Sequence, residues 1–293
     1  MALTLKKIAW NGIQFSIPFD WELVSIDSRH LTFHKSDTPA MEIKWGPIKG
    51  RFSHQGLLKK LVQGHKARPI PKITKWQLPP AWTQALAAYS AQGFCWQSDA
   101  SNGHGATLYC PQCKNAVIFQ FFDIRNRLTN PGLLQFLKTL ADHRDDDCTA
   151  WRLFEVQALL PKSLQLKHYH FKPGNHELAF KSSILAVKLY RWAPASALLA
   201  LSNLTAFTAD MLQLSEAQLS FTSIQGNPAV EMQPPGVTGW HRHLLRWGIK
   251  PALKWVRVWH LERNNRILGI SIESKKPFKP NQMAQLCANF QLK

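Results

Sequence analysis

Acidic side chains are scarce in this 293-residue chain: 18 Asp and Glu stand against 36 Lys and Arg, a formal net charge of +18. With so few carboxylates and no pair of them spaced to converge, general acid–base catalysis by two acids is not indicated. Cysteine is also sparse. The five present are an odd number without framework spacing, which argues against a disulfide-stapled secreted domain. No run approaches the roughly 18 apolar residues of a bilayer-spanning helix. The best candidate, residues 193–207, is interrupted by Pro194, Ser196, Ser202, Asn203 and Thr205. The first residues carry Lys6 and Lys7 with no apolar run behind them, and Asn11, Gly12 and Pro18 follow early. They do not read as a signal peptide, so the chain is expected in the cytoplasm. There is no Gly-x-Ser-x-Gly elbow and no Walker lysine, and Gly103-His-Gly105 lacks the third glycine of a dinucleotide loop.

What the chain does have is enough apolar content for folded domains. At 45% hydrophobic residues its length suits two units of roughly 100–150 residues each. Internal matches set the division. Pro18 corresponds to Pro161, and Trp45-x-Pro47 to Trp192-x-Pro194. Tyr109 to Phe122 corresponds to Trp259 to Ile272, and Asn130-Pro131 to Lys279-Pro280. Their order is kept, so a duplication is expected, with domains over 1–145 and 146–293 and a charged linker around His143–Ala150. Alternating apolar segments predict strands at 13–18, 30–34, 41–46, 72–78, 84–97, 106–110 and 116–123. Ser53 caps a predicted helix over 53–64, and Pro131 opens another to about Asp142. The second half predicts strands at 154–160, 165–171, 177–181, 184–191, 218–224, 252–260 and 266–273. Its helices are predicted at about 195–213 and 279–290. The expected class is therefore α+β: two duplicated domains, each an antiparallel sheet covered by helices.

The segment Pro18-x-x-Trp21, leading into a hairpin and then a Trp-ended strand and a helix, resembles the Mog1/PsbP-like group of α/β/α sandwiches. The resemblance covers both halves. It implies a non-catalytic accessory or binding role and carries over no site residues. Many members of that group are exported, whereas no export signal is read here.

Tyr109-Cys110-Pro111-Gln112-Cys113-Lys114 lies where two strands should turn. A Cys-x-x-Cys turn can present two thiolates to one zinc ion. Cys95 or His104 is the nearest expected further ligand, with Cys148 and His143 farther along. A second Cys-x-x-Cys is lacking. Because the motif leads into a strand and not a helix N-terminus, the context is unlike that of redox dithiols. An incidental turn, a metal site and a redox pair all stay open.

Between Glu231 and Glu262 there is no acid, while Arg242, Arg246, Lys250, Lys254 and Arg257 accumulate alongside Trp240 and Trp247. Such a segment suits an acidic protein or an anionic membrane surface, or a nucleic-acid backbone, and equally a solvated helix face packed through its tryptophans. His168 and His170 share one face of a predicted strand. His143 with Asp145, Asp146 and Asp147 reads as a solvated linker. The expected function is a non-enzymatic binding or adaptor protein attracted to an acidic partner. A nucleic-acid-binding protein is the alternative, and a zinc- or thiol-dependent enzyme at Cys110 and Cys113 the third reading. Zinc is the one cofactor the sequence brings into question.

Overall fold

A computed structural model describes residues 4–63, 72–98, 101–124, 128–234, 253–276 and 280–293. The chain divides into two compact units, Met1–Leu153 and Phe154–Lys293.

The first unit opens with a hairpin, β1 (Leu5–Trp10) and β2 (Ile13–Pro18). Its two-residue turn is Asn11-Gly12, with φ of 44° and 92°, the left-handed pair that such a hairpin requires. Next come β3 (Glu22–Asp27), β4 (His30–Lys35), β5 (Thr38–Pro47), α1 (His54–Gln63), β6 (Lys72–Trp76), α2 (Pro80–Ala85), β7 (Ser90–Gln97), β8 (Asn102–Tyr109), β9 (Asn115–Phe122), α3 (Pro131–Thr139) and β10 (Cys148–Leu153). β10 pairs antiparallel with β1, Ala9 opposite Arg152, so residues 148–153 belong with this unit.

Strands β3 to β9 form a seven-stranded sheet in the order β3-β4-β5-β9-β8-β7-β6. One face is apolar. Phe136 of α3 meets Phe15, Phe119 and Phe121 edge-on at centroid distances of 5.1, 5.2 and 5.4 Å. Trp82 of α2 lies 5.7 Å from Phe121, and its indole donates to the Leu128 carbonyl at 2.9 Å. Aromatic contacts of this geometry add to what area burial alone supplies.

The second unit holds β11 (Val156–Pro161), β12 (Gln165–Lys172), β13 (Asn175–Lys181), β14 (Leu185–Trp192), α4 (Ala195–Leu198), α5 (Leu204–Leu212), β15 (Ser220–Ile224), β16 (Asn227–Met232), β17 (Leu253–Leu261), β18 (Arg266–Ser274), α6 (Pro280–Ala288) and β19 (Phe290–Leu292). Its seven-stranded sheet runs β12-β13-β14-β18-β17-β16-β15. Phe207 of α5 packs edge-on against Trp192 at 5.5 Å, over Val230, Met232, Val256, Val258 and Ile267. In both units the outermost strand of the first meander is bulged, β3 between Leu23 and Ser25 and β12 between Leu166 and His168.

The expected α+β class, sheets covered by helices in an α/β/α sandwich, is corrected. Strands hold 52% of the described residues and helices 19%, and the architecture is β-rich. The physical reason is reach. A ten-residue helix spans about 15 Å, against roughly 29 Å across seven strands. In the first unit Ile13, Phe15 and Ile17 of β2, all buried, share with α3 the layer that helices alone were expected to supply. The two sheets have the same strand order, and Trp45 and Trp192 both lie near the end of the third strand. The halves are not alike element by element, however. α2 stands between β6 and β7, whereas Gln225-Gly226 alone turn β15 into β16. The single helix expected over 195–213 is two, α4 and α5, the second capped by the Asn203 side chain.

A polar chain crosses the other face of the first sheet. The Trp96 indole donates to Gln120 Oε1 at 2.7 Å, and Gln120 Nε2 donates to Glu42 Oε2 at 2.6 Å. His30 and Lys44 both reach Glu42 Oε1 at 2.7 Å. Burial alone would raise the Glu42 pKa. The hydrogen bonds from His30, Lys44 and Gln120, with the Lys44 charge, outweigh it and hold the carboxyl at about 2.

A depressed carboxylate pKa contributes stability above the unfolded value, near 4.5, and loses it as pH falls towards 2. Urea midpoints should therefore drop between pH 6 and pH 3 by an amount worth about 2–3 kcal/mol in the parent, and by clearly less in Glu42→Gln. A second test concerns packing. A Cβ at Gly105 would lie 2.0 Å from the Phe119 carbonyl oxygen, whereas one at Gly46 meets nothing closer than Arg29 at 3.5 Å. Gly105→Ala should cost about 3 kcal/mol and Gly46→Ala less than about 0.5 kcal/mol, read from thermal unfolding.

Candidate functional site

The turn between β8 and β9, Cys110–Lys114, is closed by its own backbone. Cys110 N donates to Asn115 O at 2.9 Å and Lys114 N to Cys110 O at 3.0 Å. Lys114 takes φ 58°, which completes the reversal and leaves both cysteines on its inner side. The segment after α3 comes to meet them. Gln14 and Ala141 exchange backbone hydrogen bonds at 2.8 and 2.9 Å, fixing Asp142 and His143 beside the turn.

Four potential ligand atoms, one each from Cys110, Cys113, Asp142 and His143, all lie within 4.8 Å of one another. Cys110 and Asp142 are each 3% exposed. Cys113 Sγ donates to Asp142 Oδ2 at 2.9 Å, and Cys110 Sγ is 3.7 Å from His143 Nδ1. His143 Nδ1 faces Asp142 Oδ1 at 2.9 Å, and its Nε2 faces Gln112 Oε1 at 2.9 Å. The Tyr89 hydroxyl donates to Asp142 Oδ1 at 3.3 Å. Burial, then the hydrogen bond to Asp142, push the Cys113 thiol up to about 12. Burial and the Asp142 charge likewise raise the Tyr89 hydroxyl well above its usual range.

The companions expected for the two cysteines are different ones. Cys95 and His104 oppose each other across β7 and β8, and His104 packs its ring on Trp76 at 5.0 Å. Six residues of strand separate His104 from Cys110, about 20 Å. His143 is the farther of the ligands expected from the sequence and Asp142 is an addition to them; an adjacent Asp-His pair just past a helix is the signal the sequence offers. Cys148 begins β10 and does not join the group. Arg144 instead holds Asp146, at 2.9 and 2.5 Å. His168 and His170 share a face of β12 with ring centroids 6.5 Å apart, and no third donor among the described residues joins them.

The basic segment divides. Arg242, Arg246 and Lys250, with Trp240 and Trp247, lie outside the described residues. Lys254 and Arg257 sit on β17. Lys254 is opposite Glu273 and Arg257 opposite Glu231 in register. Arg257 Nε donates to Glu231 Oε2 at 2.7 Å, with side chains 17% and 12% exposed. Its charge is thus internally neutralised, which corrects its expected place in a polyanion surface. A different basic feature stands in the first unit, a groove of about 460 Å³ lined by Arg29, Ile48, Lys49, Arg51, Phe52 and Leu57 among others. Phe52 stacks on Tyr109 at 4.4 Å, and Ile48 N donates to the Lys114 carbonyl at 3.0 Å, so the groove wall is fastened to the cysteine turn. No helix among the described residues is long and apolar enough to cross a membrane.

No family model matches the chain, and no curated protein matches it. Among solved structures, the immunity protein TplEi of the T6SS of Pseudomonas aeruginosa aligns over 98% of this chain and 97% of its own, at 8% identity and TM-score 0.32. The Tle4–Tli4 complex contains a chain that aligns over 100% and 99%, at 11% identity and TM-score 0.33. A protein of Bacteroides thetaiotaomicron VPI-5482 aligns over 51% of this chain, at 11% identity and TM-score 0.29. This chain spans 53% of that protein's length. Likeness at this level carries no argument about function, which rests on the chain's own residues.

Removing one member of a largely buried ion pair leaves the other charge without its partner. Arg257→Ala should therefore lower stability by about 3 kcal/mol in urea unfolding while leaving binding to anionic ligands within twofold of the parent.

Proposed function

We propose that this chain is a non-enzymatic binding protein that holds an acidic segment of a partner protein against the groove lined by Arg29, Lys49 and Arg51. The groove itself carries the reading. Three exposed cations line it with no carboxylate among the lining residues, and none of the three has an ion pair among the described residues. Pro47, Ile48, Phe52 and Leu57 give it apolar walls, which suit a peptide better than a bare phosphate backbone. The net charge of +18 adds a long-range field that speeds the approach of any acidic partner. Proximity alone limits each cation to about 1 kcal/mol at a charged surface, so the affinity for a simple polyanion is modest and falls with salt.

The test compares the parent with Arg29→Ser/Lys49→Ser/Arg51→Ser on three probes at low salt: an acidic Glu-rich peptide, single-stranded DNA and phosphatidylserine vesicles. The expected result is at least tenfold weaker peptide binding by the variant with an unchanged Tm. Equal peptide binding by parent and variant would overturn the groove. Stronger, variant-sensitive binding to DNA or to vesicles would replace the acidic protein by that partner.

A further inference from the structure

The geometry points to a zinc site in the first unit, with Cys110, Cys113, Asp142 and His143 as its four ligands. It does not depend on what occupies the basic groove.

The donor set is the first ground. Two sulfurs, one imidazole nitrogen and one carboxylate oxygen make a closed tetrahedral set of the structural kind, with no position left for water or substrate. With zinc–sulfur bonds of about 2.3 Å and zinc–nitrogen or zinc–oxygen bonds of about 2.0–2.1 Å, the edges of such a tetrahedron are roughly 3.4–3.8 Å. Cys110 Sγ to His143 Nδ1 is 3.7 Å, and no pair within the set exceeds 4.8 Å.

The second ground is the outer shell. Gln112 Oε1 can only accept, so at 2.9 Å it takes a proton from His143 Nε2. That leaves Nδ1, 2.9 Å from Asp142 Oδ1, as the nitrogen turned towards the other three ligands, and makes Gln112 the outer-shell acceptor that orients a ligating histidine. Tyr89, donating to Asp142, plays the same part for the carboxylate.

The third ground is burial. Asp142 has a side chain 1% exposed and is held by Tyr89, Cys113 and His143, so its carboxylate is fixed and shielded from water, as a ligand of a closed site must be. On binding, each thiol coordinates as thiolate and gives its proton to solvent. The 2.9 Å contacts of Asp142 with Cys113 and His143 open to about 3.4–3.5 Å as the ion takes its place among them. The ion would join the β8–β9 turn to the segment after α3, closing a loop from residue 113 to residue 142.

The experiment uses the full chain purified without chelator. Metal analysis should find one zinc per chain, and the apo protein titrated with Co(II) should develop a thiolate-to-cobalt charge-transfer band with tetrahedral d–d absorption. Cys113→Ser and Asp142→Asn should each weaken Co(II) binding at least 100-fold. Gln112→Ala should weaken it about tenfold, and Cys148→Ser should leave it unchanged. If Cys113→Ser fails to fold, Asp142→Asn and Gln112→Ala still decide the matter. A Co(II) titration without a charge-transfer band would overturn the site, as would zinc retained equally by Asp142→Asn, or a Cys110–Cys113 disulfide in the protein as isolated.

Discussion

The ladder between β5 and β9 makes one sheet out of two pieces. β3-β4-β5 and β6-β7-β8-β9 are meanders, each strand paired with its neighbour in sequence. Among the described residues, the pairing of Met41–Pro47 with Asn115–Phe121 alone joins them. Inward residues on both sides of that seam, Met41, Ile43, Val117, Phe119 and Phe121, are almost wholly buried. A slip of one residue by either strand would therefore send that strand's whole set to the opposite face. The second unit repeats the device with β14 and β18, Leu185–Trp192 against Ser274–Ile267. Joins between strands so distant in sequence raise the contact order and slow folding, because loop-closure entropy must be lost before the contacts reward it.

What the seam positions is the far end of β8 and β9. Once β9 is fixed between β5 and β8, the turn Cys110–Lys114 has one place to go. Its Lys114 carbonyl then accepts from Ile48 just beyond β5. The cationic groove and the four-residue cluster are thus two sides of one connection, the first built on the exit of β5 and the second on the inner side of the turn. Asp142 reaches the cluster through an unrelated element, the exit of α3, held by Gln14 of β2.

Strand positions were largely legible in the sequence, because period-two alternation survives in half-buried strands such as His30–Lys35 and Gln165–Lys172. Some strands were not, Glu22–Asp27 and Asn227–Met232 among them. Glu22–Asp27 is mostly exposed, so its side chains show no apolar stripe to reveal it. The layering is not legible there, because a helix periodicity reports one apolar face and not how much sheet that face can reach. The cysteine pair was legible from spacing alone. Of its companions His143 was in view and Asp142 was not, since both are brought to the turn by the Gln14–Ala141 bridge, a contact between segments no local pattern connects. Arg257 misled for a related reason: sequence shows a charge, and the Glu231 that neutralises it lies on the neighbouring strand.

The bulges at the outer strands bear on how this chain behaves in company. β3 and β12 each end a sheet with hydrogen-bonding groups turned outward, the kind of border on which a second copy can add itself strand by strand. Each is interrupted after its second residue, at Leu23 and at Leu166, so an incoming strand finds a twist and a lost register where it needs a straight template. Either border is thereby a poor place for one copy of the chain to add itself to another.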